Sequence, residues 1–170
     1  MIAKTAVPPC SALHPTLHDA DFFDAYRLDQ DADNLAAIEV CLLTLFQTPR
    51  WVDLAMTARN RVGGWVGLKD LGRLSAIDQA KPPGAYRVGE RLGIFTLLSI
   101  SEREVLLGDD DKHLDVKISV RLVGEPGERS VVVSTVVHVH NTLGRLYMLF
   151  VGPAHKVIAP AVLSRARFSA

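Results

Sequence analysis

Between Gly93 and His140 the chain adopts a two-residue rhythm, and this constrains the fold more than any other feature of the 170 residues. Four runs, "GIFTLLSIS", "REVLLG", "KHLDVKISVRLVG" and "ERSVVVSTVVHVH", read as strands, parted only by Ser101 and Glu102, by "GDDD" and by "GEPG". Connections this short, built from turn formers, join antiparallel neighbours, because a parallel pair needs a crossover of about a dozen residues or more. In the third run Leu114, Val116, Ile118, Val120 and Leu122 share one face, with His113, Asp115, Lys117, Ser119 and Arg121 opposite. In the fourth, Val131, Val133, Thr135, Val137 and Val139 share a face, opposite Ser130, Val132, Ser134, Val136, His138 and His140. A sheet that is oily on one side needs a cover.

The last segment supplies one. Leu143, Leu146, Tyr147, Phe150, Ala154, Val157, Ile158 and Ala161 recur at the three- and four-residue spacing of a helical stripe. Asn141 or Thr142 is placed to cap that helix, Gly144 admits a close backbone approach, and Pro153 and Pro160 are expected to kink or split it.

Upstream, "ADFFDAYRLD" (20–29) reads as a strand carrying Phe22, Asp24 and Tyr26 on one face and Phe23, Ala25 and Arg27 on the other. Leu35 to Phe46 reads as a short buried helix. A second helix starts at Thr48 and Pro49, ends near Val62 before Gly63 and Gly64, and leaves Trp51 and Trp65 to core packing. Residues 1–18 form an extended arm broken by Pro8 and Pro9, and 68–92 is a long connection with the character of a lid or binding loop. With 48% hydrophobic residues the length suits one core, so residues 1–170 are read as a single α+β domain.

Lysine plus arginine equal aspartate plus glutamate at 19 each, so no overall field draws in nucleic acid or an anionic membrane. The N-terminus lacks a signal-peptide core, and no stretch is expected to match the roughly twenty apolar residues of a membrane span. A cytoplasmic protein is the resulting expectation. Cys10 and Cys41 lack metal-ligand spacing, Cys41 reads as a buried thiol, and no metal or cofactor is expected.

The element order resembles the helix-grip architecture of the START and Bet v 1 superfamily (SRPBCC), a curved antiparallel sheet wrapped on a C-terminal helix, although two strands usual there are not evident. More specifically, "ADFFDAYRL", "TPRWVDLAMTARNRVGGWVGL", "VGERLGIF", "EVLLGDDDKHLDVKISV" and "STVVHVHNTLGRLYM" with "GPAHKVI" resemble the uncharacterised bacterial family called domain of unknown function 2867. The likeness spans about Ala20 to Leu163; Pro153, Ala154 and His155 stand where that family reads Pro-Phe-His. It implies a fold and a pocket and supplies no reaction.

Three functional classes follow. The leading one is a protein holding a hydrophobic small molecule between sheet and C-terminal helix, with Tyr147, Thr135, Arg145, Phe150 and Leu143 as ligand contacts. Arg145, unfavourable in a first helical turn, needs a carboxylate such as Asp24 or Asp115, or a ligand. The second is a hydrolase or cyclase using His113, Asp115, His138 and His140. If the "GEPG" hairpin pairs positions summing to 251 or 253, these four gather on one side, within reach of one another or of a metal. In a milder form Asp115 only pairs with a histidine. The third is a homo-oligomer or partner-binding module using the outer sheet face. Asp109 to Asp111 reads as a solvated turn.

Overall fold

The computed structural model describes residues 1–30, 32, 34–65 and 72–168, with only the backbone of 62, 64 and 65. The first four residues of the 68–92 connection and the Trp65 side chain thus lie outside the described residues. In chain order the elements are β1 (Ile2–Lys4), β2 (Phe22–Leu28), α1 (Ala37–Phe46), α2 (Arg50–Trp65), β3 (Arg91–Leu92), β4 (Phe95–Ile100), β5 (Glu104–Asp110), β6 (Leu114–Val123), β7 (Ser130–Val139) and α3 (Thr142–Leu163).

The strands form one antiparallel sheet in the order β1-β2-β7-β6-β5-β4-β3. The four-strand meander is its centre, and β2 returns to pair with β7. Two short strands missing from the sequence reading, β1 in the arm and β3 at the end of the long connection, close the edges. At three and two residues they are too short to show a period. The β6/β7 hairpin pairs Leu114 with Val139 and Asp115 with His138, a sum of 253.

Paired residues share a face, so the register Asp24 to Thr135 and Ile118 to Thr135 assembles one inner surface from β2, β6 and β7. Val131, Val105, Leu107 and Val120 are buried there in the main core, beside Ala37, Val40, Cys41 and Leu42 of α1. Each such aliphatic side chain contributes about 1.5–3 kcal/mol on burial. Burial pushes the Cys41 thiol up to about 12, so it packs as an inert hydrophobe. The α1 start is held by the Glu39 carboxylate, which accepts the Ala36 N–H at 2.7 Å. Thr48 does not cap the following helix; its hydroxyl donates back to the Leu45 carbonyl at 2.7 Å and closes α1. Trp51 is largely exposed, contrary to its reading as core.

Helix α3 starts with the Asn141 side chain accepting the Gly144 N–H at 3.1 Å. It runs through both Pro153 and Pro160 without being split. The carbonyls these prolines leave without an intrahelical donor belong to Leu149 and Lys156, both exposed and open to water. The helix is rotated from the expected stripe. Tyr147, Met148, Val151, His155, Ile158 and Val162 face inward, whereas Leu146, Phe150, Ala154 and Val157 are exposed. Apolar residues occupy both sides, so spacing alone could not choose between them. By length and composition α3 is also apolar enough to cross a membrane, which corrects the expectation that no segment would be.

The outer face is covered over part of its area. The arm lays Val7 and Leu13 on Ala25, Val132 and Val136, so the face that carries Ser134, Val136 and His138 holds a second, smaller core. Its latch is Glu104, which accepts from Ser11 Oγ and Ser119 Oγ at 2.6 Å each and pairs with Arg121 at 2.8 Å. Burial alone raises this carboxyl's pKa, but the hydrogen bonds from Ser11, Ser119 and the Ala12 N–H, with the Arg121 charge, outweigh it and hold the pKa below the usual carboxylate range. Glu104 therefore stabilises the fold above the unfolded-chain value of about 4.3, and that contribution is lost as pH falls through the lower folded value. Urea denaturation across pH should show Glu104→Gln destabilised by about 1.5–3 kcal/mol at neutral pH, the worth of charged hydrogen bonds, with a flatter acid limb than the wild type.

Candidate functional site

Between the inner sheet face and α3 lies a cavity of about 240 Å³. Valines and leucines of β5, β6 and β7 form its floor, α3 its roof, and α1 and α2 one wall through Cys41, Leu45, Val52 and Met56. Besides Thr44, Asp109 and Asp111, polar groups reach it at three places, each set by local chain geometry.

The first lies where β2, β7 and α3 meet. Asp24 faces inward between Phe22 and Tyr26 because of strand alternation, and it is 4% exposed. Its Oδ2 stands 3.0 Å from His155 Nδ1, and the Phe22 ring meets the imidazole edge to face at 5.7 Å between centroids. A carboxylate only accepts, so Nδ1 carries hydrogen and Nε2 is left to face Thr135 Oγ1 at 3.5 Å. Asp24 Oδ1 is buried without a hydrogen bond. The nearby Tyr26 phenol is pushed up, first by its own burial and then by the Asp24 charge.

The second is at the α2/α3 contact. Arg59 Nε donates to Tyr147 Oη at 3.0 Å while its guanidinium lies 5.2 Å from the Tyr147 ring centroid.

The third is at the helix start. Asn141 Oδ1 accepts from Gly144, so its Nδ2 is the donor, to the Lys112 carbonyl at 2.9 Å and to His113 Nδ1 at 3.0 Å. Nδ1 also stands 3.2 Å from Asn141 Oδ1, and the shorter contact to the amide nitrogen favours the His113 tautomer with hydrogen on Nε2. This Nε2 is buried and has no hydrogen-bond partner.

Of the histidine set read from the sequence, the structure brings together only part. Asp115 Oδ1 lies 3.2 Å from His138 Nδ1 on the outer face, and His138 Nε2 meets the Thr16 carbonyl at 3.1 Å and Asp19 at 3.2 Å under the arm. His140 is exposed. His113 turns the other way, into the cavity, because it precedes β6, where strand alternation has not begun. Among the described residues no cluster of three or more such side chains is placed to hold a metal.

Among the proposed ligand contacts Tyr147 and Thr135 line the cavity, whereas Arg145 and Phe150 lie exposed on α3 and Leu143 is not in the lining. Arg145 does not meet the carboxylates suggested for it: Asp24 holds His155, and Asp115 lies beside His138 and Lys117. Asp109 is buried and lines the cavity with Asp111, so the acidic run is not simply a solvated turn. The Asp24–His155 pair was missed. Its signal was a carboxylate between two aromatics on an inward strand face, together with a histidine three residues before Ile158.

A family model described as protein of unknown function, DUF2867, matches residues 16–162, and the chain belongs to that family. Among curated proteins and among solved structures nothing matches it.

Gly144 decides how closely the roof approaches the floor, since a Cβ there would stand 2.3 Å from the His113 carbonyl oxygen and 2.9 Å from Val139. Alanine favours a helix over glycine by about 1 kcal/mol, but the obstacle is rigid backbone. Gly144→Ala should therefore destabilise the protein by roughly 1–3 kcal/mol in urea titrations and shift the His113 ring resonances.

Proposed function

We propose that the protein binds a compact, uncharged hydrophobic molecule carrying one hydrogen-bond acceptor, in the cavity between the sheet and α3. The observation carrying this reading is His113 Nε2, a buried N–H without a hydrogen-bond partner in a largely apolar enclosure. An unsatisfied buried donor costs about 1–3 kcal/mol, a cost that a ligand carbonyl or ether oxygen would remove. The volume of about 240 Å³ falls below the roughly 300–1,000 Å³ of drug-sized sites. It favours a ligand smaller than a long-chain lipid.

A meander wrapped on a terminal helix also supports assigning the chain to the helix-grip architecture of START and Bet v 1 proteins, and we take it to work in the cytoplasm. Tyr147, steadied by Arg59, closes the cavity at the α2 side and offers its hydroxyl to the same ligand.

Native mass spectrometry of the full chain, incubated with a panel of small aromatic and terpenoid ketones and ethers, tests this. Retention of at least one compound is expected, abolished by Val133→Phe, which fills the floor, and weakened about tenfold by His113→Leu, the worth of one hydrogen bond. Wild type that retains none of the panel, or binding unchanged in Val133→Phe, would count decisively against it.

A further inference from the structure

We infer that this cavity is an active site in which His155 is a general base, taking a proton from the carbon beside the carbonyl of a compact, uncharged hydrophobic substrate. The inference rests on the binding reading above and deepens it.

The geometry assigns each role. Asp24 Oδ2 at 3.0 Å holds Nδ1–H of His155, which leaves Nε2 as an acceptor met by the long 3.5 Å contact from the Thr135 hydroxyl. Asp24 reaches no substrate; it is a positioning residue that orients the ring and offsets the imidazolium formed when Nε2 accepts a proton. The charged group in contact with the ring is Asp24 of β2, while Arg59, Asp109, Asp111, His113 and Tyr147 line the same cavity; β7 offers Thr135 and valines, and the next residue of α3, Lys156, is exposed. Asp24 is buried against an imidazole that is neutral at rest, and burying a carboxylate without a counter-charge is costly, so the arrangement is better explained by chemistry than by packing.

In the step itself, Nε2 takes the proton and the C–H electron pair moves into the adjacent carbonyl, giving an enolate. The Thr135 hydroxyl, 3.5 Å from Nε2, is released as a donor when Nε2 takes the proton and can turn to that developing oxyanion. The imidazolium then returns the proton to another carbon of the conjugated system. The outcome is an isomer, atoms and charge balance, and no co-reactant is needed. Acyl transfer through Thr135 fits less well. The strand is paired on both sides at this residue, with Asp24 and with Ile118, so neighbouring amides are committed to the ladders and not free to hold a tetrahedral oxyanion.

The probe is 5-nitrobenzisoxazole, a small uncharged ring whose single acidic C–H, once removed by a base, becomes a nitrile as the N–O bond breaks, releasing a coloured phenolate. Wild type is expected to open it about 100-fold faster than free imidazole at equal concentration, and His155→Ala to lose about that factor, the usual worth of a general base. Added imidazole should restore part of the loss. Asp24→Asn should lower kcat with KM nearly unchanged, and His138→Ala, outside the cavity, should keep the full rate. His155→Gln replaces the alanine variant if thermal melts show the latter unfolded. Wild type no faster than imidazole, or His155 variants as fast as wild type, overturns the assignment. If the probe is retained in native mass spectra without turnover, the binding reading stands and only the base falls. If wild type retains neither the probe nor any member of the ketone and ether panel and turns nothing over, both fall.

Discussion

The approach of α3 to the sheet governs the rest of this molecule. At its first turn the helix comes as near as backbone permits, with Gly144 against the His113 carbonyl. At its last, Val162 and Leu163 sink into the main core. Between these anchorages the strands curve away and side chains of moderate size do not fill the gap, so the helix bridges a hollow. A helix with larger residues at Val151 and Ala159 would close the space, and one without Gly144 would sit higher at its N-terminal end.

Given a hollow of this kind, polar groups inside it call for explanation. Interiors are close-packed, and buried polar atoms are nearly always satisfied. Here one wall holds a carboxylate with an unbonded oxygen, and the helix start holds an imidazole with an unbonded ring nitrogen. The Arg121 guanidinium near Glu104 shows the contrasting case, in which several donors converge on one carboxylate and its burial becomes favourable. The difference between these two acids separates an architectural device from a chemical one.

Much of the architecture could be read from residues alone, because period two and turn chemistry are local properties. The β6/β7 register narrowed to sums of 251 or 253, the inward set of β7 and a cap at Asn141 or Thr142 are of this kind. What escaped was relational. Asp24 and Thr135 could each be placed on a face, but that these were the same face depends on β2 returning to pair with β7, across more than a hundred residues. The rotation of α3 escaped because apolar residues surround it, and His155, noted only as part of the family's Pro-Phe-His position, was given no role in the site. His113 was misplaced because alternation was extended one residue beyond the strand that enforces it. The arm over the outer face, with contacts at separations near one hundred residues, left no periodic trace at all.

That arm has a consequence for how the protein matures. During folding the meander can form from nearby contacts, whereas the arm must come back over a long loop, which chain entropy delays. Until it arrives, Val132 and Val136 stand open on the rear of the sheet as a bare hydrophobic strip, the sort of surface that recruits other nascent chains. Proteolytic loss of the first dozen residues would recreate that condition in the folded protein, baring a seed for clumping while leaving the hollow on the opposite side untouched.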